Sequence, residues 1–379
     1  MSANVKVARP GRNNFANFDM ILLGAVIALL FIGTLLVYAG TREWFKANNL
    51  DPEYYLKRHV LNILIGALLA YGTTLIDYRL LRAYTPLVWG AGVLGLLVVL
   101  VAGTTVNSAK AWIAFPGGFQ LQPAELAKIA IIVGMAMVLA ERKDLRGDPT
   151  DSDVAKSLLV AAIPVGLILL QPDLGTVLII SAAVVAMIGA SGAPVRWVVG
   201  LLIVAFAGGF VAVQAGVVSD YQVKRLQSFI DPAADPQLSG YQLRQARITI
   251  GSGGFLGKGL FNGPQTNGRF VPEQQTDFIF TVAGEELGFL GCAVILMLYS
   301  IIFIRGFMIA RNTNDLFGRL VCIGVIAWFA FQSFENIGMT MGLMPMTGVP
   351  LPFLSYGGSS MFANLIGVGL LQNVHVRTR

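Results

Sequence analysis

About ten apolar runs, each close to the length needed to cross a bilayer, limit the fold of this chain more than any other feature. Roughly 30 Å of hydrocarbon is crossed at 1.5 Å per residue, so a spanning helix takes about 20 largely apolar residues. The runs are Met20–Ala39, Val60–Ile76, Tyr84–Ala102, Pro123–Leu139, Ser157–Leu170, Leu174–Ser191, Trp197–Ala215, Phe278–Ile304, Leu320–Met339 and Phe353–Leu371. Within hydrocarbon the backbone must satisfy its own hydrogen bonds, so each run is expected to be helical. The spacing predicts an all-α polytopic membrane protein, one ten-helix domain over residues 1–379. Composition agrees: 55% of residues are hydrophobic and 13% charged, against about 25% charged in soluble domains. The first run is long and lacks a small-residue cleavage site, so it reads as a retained anchor.

Lysine and arginine set the orientation. With the N-terminus cytoplasmic, about fifteen basic residues fall on the inner side, among them Lys6, Arg9, Arg12, Arg142, Lys143, Arg146 and Arg379. About five, Arg42, Lys46, Lys57, Arg58 and Lys110, fall on short outer loops. That bias predicts both termini inside. The formal charge of +6 is accounted for by topology, since no basic cluster is long enough to track a phosphate backbone. Cys292 and Cys322 lie in apolar runs and His59 and His375 are isolated, which excludes a disulfide framework and a histidine metal site.

One connection breaks the pattern of short loops. Gly216–Thr276, about 60 residues, is expected between the seventh and eighth helices on the outer side, far beyond the usual connection. It holds the polar run Ser228–Pro236, the stretch Gly240–Arg247 and the glycines from Gly251 to Gly268. The segment Gly251–Gly259 fails the phosphate-loop pattern, because Ser252 holds the place of the first glycine and Gly259 follows Lys258. Two readings stay open: a tight turn that needs glycine dihedrals, or a backbone whose amides, with Lys258, meet phosphate oxygens.

Charges inside spanning runs cost about 2.5–3.5 kcal/mol each and call for a reason. Glu125 and Lys128, three apart near the start of the fourth helix, can pair on one face. They form either a lock between helices or the wall of a cavity for an anionic headgroup. Asp173, after Gln171 and Pro172, is placed to cap the sixth helix. Glu285 and Glu286 point about 100° apart, so at most one faces a given cavity. Glu335 and Asn336 read as packing and hydrogen-bonding residues, and Pro345–Ser360 as broken helix lining a cavity. Asp277 stands where the long loop meets the eighth helix, able either to cap that helix or to act as a rigidly held, ionisable base.

Seven segments together resemble the SEDS (shape, elongation, division and sporulation) family of membrane glycosyltransferases. They are Gln122–Lys128 (QPAELAK), Gln171–Thr176 (QPDLGT), Gly240–Gln245 (GYQLRQ), Ile250–Gly259 (IGSGGFLGKG), Val271–Phe280 (VPEQQTDFIF), Glu285–Gly288 (EELG) and Gly348–Ser359 (GVPLPFLSYGGS). The IGSGG and GVPLP wording is closer to the elongation branch than to the division branch. The resemblance implies a ten-helix fold in the bacterial inner membrane and polymerisation of lipid II into glycan strands. It implies Asp277 as the essential aspartate, general base on the acceptor sugar hydroxyl with a lipid pyrophosphate leaving, and Glu125 and Lys128 as cavity residues. Asp173, Lys258 and Glu273 are expected to complete the substrate cavity, with no metal ligands. No tightly bound cofactor is expected, although a divalent cation such as Mg²⁺ or Mn²⁺ would suit a departing pyrophosphate. A class B penicillin-binding protein and elongation-complex proteins are the implied partners. The alternative class is a transporter of the same lipid, since intramembrane carboxylates and broken helices also suit a transport cavity.

Overall fold

A computed structural model describes residues 17–378 apart from 107–108, 116–118, 142–146, 215–219 and 232–238. Lys6, Arg9, Arg12, Arg142, Lys143, Arg146 and Arg379 of the charge argument lie outside the described residues, as does part of the run Ser228–Pro236. The chain is a multi-pass helical membrane protein. In order come α1 (Met20–Ala47), α2 (Tyr54–Leu75), α3 (Tyr78–Ala102), β1 (Thr104–Val106), β2 (Ala109–Phe115), β3 (Phe119–Leu121), α4 (Pro123–Glu141), α5 (Asp151–Leu169), α6 (Leu174–Ser191) and α7 (Val195–Gln214). Then follow α8 (Asp220–Ile230), α9 (Ser239–Ser252), α10 (Pro264–Asn267), α11 (Ile279–Asn312), α12 (Leu316–Met341) and α13 (Gly358–Thr378). Each expected run corresponds to one of the ten long helices, and seven of these are long and apolar enough by length and composition to cross a membrane. The more polar α2 and α13 and the helix α7 complete the set.

Aspartates open several helices because a short carboxylate accepts the first unpaired N–H groups. Asp19 accepts from Leu22 N at 3.0 Å and Asp315 from Gly318 N at 2.9 Å. Asp19 also ion-pairs with Arg305 at 2.7 Å, tying the start of α1 to α11. The fifth helix begins at Asp151, six residues before the expected Ser157, because Thr150 and Asp153 form a reciprocal capping box there. The tenth begins at Gly358, not Phe353, because Pro350, Pro352 and the left-handed Phe353 (φ 66°) hold the preceding segment in turns.

α4 and α12 form the centre of the bundle and are buried along most of their length. Around them α3, α5 and α6 pack on one side, and α1 packs on α11 while α2 packs on α13. The apolar faces of α3 and α7 point outward, with Phe206 at 81% and Val101 at 82% exposure, as suits surfaces that face lipid.

Two features were not legible in the apolar pattern. β1, β2 and β3 form a small antiparallel sheet between α3 and α4, with Ile113 opposite Leu121. The eighth long helix is also broken, at Gly288 (φ 66°, ψ −165°). The glycine turn of the long loop enters that break and exchanges hydrogen bonds with it. Lys258 N donates to Glu285 O at 2.9 Å and Gly259 N to Glu286 O at 3.0 Å, while Phe289 N donates to Gly254 O at 2.9 Å. A Cβ on Gly288 would overlap the Gly257 nitrogen, and one on Gly257 the Glu286 carbonyl. These glycines are required by backbone contact.

Candidate active site

The turn that precedes α11 is built from its own polar groups. Thr276 N and Asp277 N both donate to Glu273 O, at 3.1 and 3.2 Å, with Glu273 in the left-handed region at φ 52°. Gln274 reaches α1 by donating to Gly40 O, and Gln275 O accepts from Tyr356 N at 2.9 Å. Ser355 Oγ donates to Thr276 O. On the other side Asn336 Nδ2 of α12 donates to Asp277 O at 2.8 Å and to Val349 O at 2.7 Å. Asp277 is thus fixed by α1, α12 and the segment before α13 at once.

Its carboxylate faces a cavity of about 350 Å³ whose charged lining residues are Arg58, Asp173, Arg225, Glu273 and Asp277. Trp112 and Gln120 of the sheet, Gln122, Thr347, Gly348, and the stretch Tyr356–Ser360 complete the wall. Burial pushes the Asp277 carboxyl up to about 6; the Arg225 guanidinium opposes this, while the Glu273 and Asp173 charges add to it. Gly348 (φ 77°) lies against the carboxylate, where a Cβ would come within 3.2 Å of Asp277 Oδ2. A glycine there leaves room at that carboxylate oxygen.

Asp173 and Glu273 line the same cavity as Asp277. Asp173 caps α6 through Thr176 N at 3.0 Å, as its position in sequence suggested, and it also accepts from Gln122 Nε2 at 3.0 Å. Capping and cavity lining are two tasks of one side chain. Glu125 and Lys128 stand elsewhere. They are buried inside the bundle as an ion pair of 2.9 Å, with Lys128 Nζ donating to Gln332 at 3.0 Å and lying 4.5 Å from the Trp328 ring centre. This places them behind the cavity as the lock between α4 and α12, not on its wall. Lys258 is likewise outside it, exposed on the glycine turn, because that turn is committed to the break in α11. Glu285 serves the long loop further on: its carboxylate accepts from Gln265 N at 2.9 Å and Thr266 N at 2.7 Å in α10. The residues that sequence reasoning missed are Arg58, Asn62, Arg225 and Gln122. Arg58 was read only as an outer-loop charge, and Arg225 lies in a segment with no motif; the amphipathic character of α8 was the available signal.

A helical membrane bundle with a polar, charged cavity at one end and a fixed carboxylate within it defines the class of protein. The FtsW/RodA/SpoVE profile of cell cycle proteins matches residues 20–379, and the chain belongs to that family. A probable peptidoglycan glycosyltransferase FtsW of Trichlorobacter lovleyi is 38% identical over 95% of this chain and 93% of its own. The peptidoglycan glycosyltransferase RodA of Treponema pallidum is 32% identical over 96% of this chain and 98% of its own. Among solved structures, a chain from a peptidoglycan synthase complex that coordinates polymerization and crosslinking superposes with a TM-score of 0.79 at 33% identity, covering 95% of this chain and 98% of that one. The rod-shape-determining protein RodA of Thermus thermophilus gives 0.70 at 31%, covering 96% and 98%.

Proposed function

We propose that the protein is a peptidoglycan glycosyltransferase that polymerises lipid II, with Asp277 as general base. The observation that carries this reading is the Asp277 carboxylate, held from three sides in the cavity and pushed up to about 6. A base of that strength is ionised at neutral pH yet able to take a proton. The acceptor sugar hydroxyl gives its proton to Asp277 as its oxygen attacks the anomeric carbon of the donor. The bond from that carbon to the lipid pyrophosphate breaks, and its electrons leave with the pyrophosphate. Such a leaving group departs as a stable anion, so one carboxylate suffices where a glycosidase needs two. A single displacement inverts the configuration of the donor. Arg225 beside Asp277 supplies positive charge to the same space.

Among the described residues no three carboxylate, histidine or cysteine side chains converge as a metal site. The Asp173 oxygens are taken by Gln122 and Thr176. This set does not fit a protein-held cation, so no step here runs through one. The motif wording of Ile250–Gly254 and Gly348–Pro352 supports a place in cell elongation, with a class B penicillin-binding protein as crosslinking partner. The FtsW-named relative favours the division branch as the second reading. The same reading places the protein in the bacterial inner membrane with both termini in the cytoplasm.

Purified protein in detergent, given lipid II without another polymerase, is expected to make glycan strands, and Asp277→Asn to make none. Strands from Asp277→Asn would overturn the assignment of the base, and lipid scrambling without any polymer would replace the enzyme by a transporter. Rescue of rod shape in cells depleted of their elongation polymerase, with no rescue of division, would fix the branch; the reverse result would reassign it.

A further inference from the structure

Glu335 is the one acidic side chain of α12, and neither the fold nor the base has so far used it. It is fully buried, at 0% exposure. A carboxyl shut away from water is costly to keep and calls for a donor. Lys128 and Asp173 are the charges that act on it. Lys128 is already committed to Glu125 and Gln332, and Asp173 repels it. The donor that remains beside it is the Thr347 hydroxyl, and neither of these two groups has another partner among the described residues.

Gln332, Glu335 and Asn336 lie three and four residues apart and so share one face of the helix. That face grips one short segment. Gln332 Nε2 donates to Pro350 O at 2.7 Å, Asn336 Nδ2 donates to Val349 O, and Glu335 meets Thr347. Trp328 Nε1 and Lys128 Nζ both donate to Gln332 Oε1, which turns its Nε2 toward Pro350. From the other side α6 packs on the same segment: a Cβ on Gly175 would come within 2.5 Å of Val349 Cγ1 and 3.1 Å of Thr347 Cβ. Between the gripped residues sits Gly348, the glycine that lies against Asp277 Oδ2. Arg225 reaches the segment as well, donating from Nη1 to Met346 O at 3.4 Å.

We propose that Glu335 is a positioning residue: through Thr347 it fixes the Gly348 wall against the Asp277 carboxylate and keeps water from that side of the base. A leucine at 335 would fill similar space and hold nothing. The groups that face Asp277 are Arg225 from α8, Glu273 from its own turn and Asp173 from the start of α6, but burial is the first cause of its raised value. A wall that drifts outward admits water and lets the acid fall toward its ordinary range. A weaker base follows. The inference rests on the reading of Asp277 as the base.

The test compares Glu335→Leu, Glu335→Gln and Thr347→Val with wild type in the lipid II polymerisation assay from pH 5 to 8. Glu335→Gln still accepts from Thr347 and should keep the wild-type rate and pH midpoint. Glu335→Leu and Thr347→Val should each lower kcat about fivefold or more, change KM less than about twofold, and move the midpoint down from about 6. The double variant Glu335→Leu, Thr347→Val should lose no more than the worse single one. An unmoved midpoint in folded Glu335→Leu, or losses that multiply in the double variant, would overturn the proposal. Should the Glu335 variants fail to fold, Thr347→Val against Thr347→Ser, on a half-buried side chain, carries the test. A readout without turnover separates this inference from the reading beneath it. Asp277→Asn removes the ionising group and should melt above its parent at pH 8, and that gap should shrink when both proteins also carry Glu335→Leu. A shrinking gap in a protein that makes no polymer would remove the enzymatic reading and leave the positioning role standing. An unchanged gap beside full polymerisation by wild type would do the opposite.

Discussion

Replacing Asp277 by asparagine should make the protein inactive and, at neutral pH and above, more stable. Burial holds this carboxyl at about 6, against 3.8 for an ordinary aspartate. At about 1.36 kcal/mol per pH unit, that difference costs the folded state up to about 3 kcal/mol once the group is ionised. Asp277 is half-buried, not fully enclosed, so solvent screening reduces the effect to about 1–2 kcal/mol. The sign follows from the raised value. The relative stabilisation from the protonated acid is complete below about pH 4 and is lost as pH rises through 6. Asparagine keeps the shape and never ionises. Thermal unfolding in detergent should therefore show Asp277→Asn melting a few degrees above wild type at pH 8, with the gap narrowing steadily as the pH falls from 6 toward 4. A variant that melts at or below wild type at pH 8, or a gap that does not change with pH, would refute the claim that burial holds this acid up.

The initial rate of polymerisation should fall as pH drops through about 6, because only ionised Asp277 accepts a proton; a rate flat from pH 5 to 8 would count against it as the base. Lys128→Ala should destabilise the fold by about 3–5 kcal/mol by leaving Glu125 buried without its partner. The double substitution Glu125→Gln, Lys128→Met should recover most of that in a chemical or thermal unfolding measurement. Gly288→Ala forces a methyl into the backbone of the glycine turn and should cost about 2–4 kcal/mol, seen as lower yield and melting temperature.

Much of this molecule can be read along the chain, because a bilayer makes helix length and apolar content nearly sufficient. All ten runs are helices, and Asp19, Asp173 and Asp315 mark their starts with a carboxylate. Asp173 was expected both to cap a helix and to stand at the cavity; one side chain can do both, since a cap at a helix end is also a group presented to whatever lies beyond that end. Glu125 and Lys128 look alike in sequence whether they lock helices or line a cavity; only the placement of Gln332 and Trp328 decides. Lys258 was misjudged because glycines that accommodate another backbone and glycines that accommodate a phosphate share one composition. Arg58, Asn62 and Arg225 come to the cavity from parts of the chain distant from Asp277, and no local pattern reports such a meeting. The small sheet escaped notice because strands of three to seven residues bounded by helices leave no apolar period long enough to register.

The break at Gly288 divides the eighth long helix into two pieces with different attachments. Its lower part is a strut of the bundle. The upper part, Ile279–Leu287, hangs from the glycine turn by backbone bonds at Glu285 and Glu286, and Asp277 rides directly above it. The Asp277 carboxylate is thus carried by the loop as much as by the membrane scaffold, so a tilt of the loop is a tilt of that group within the cavity.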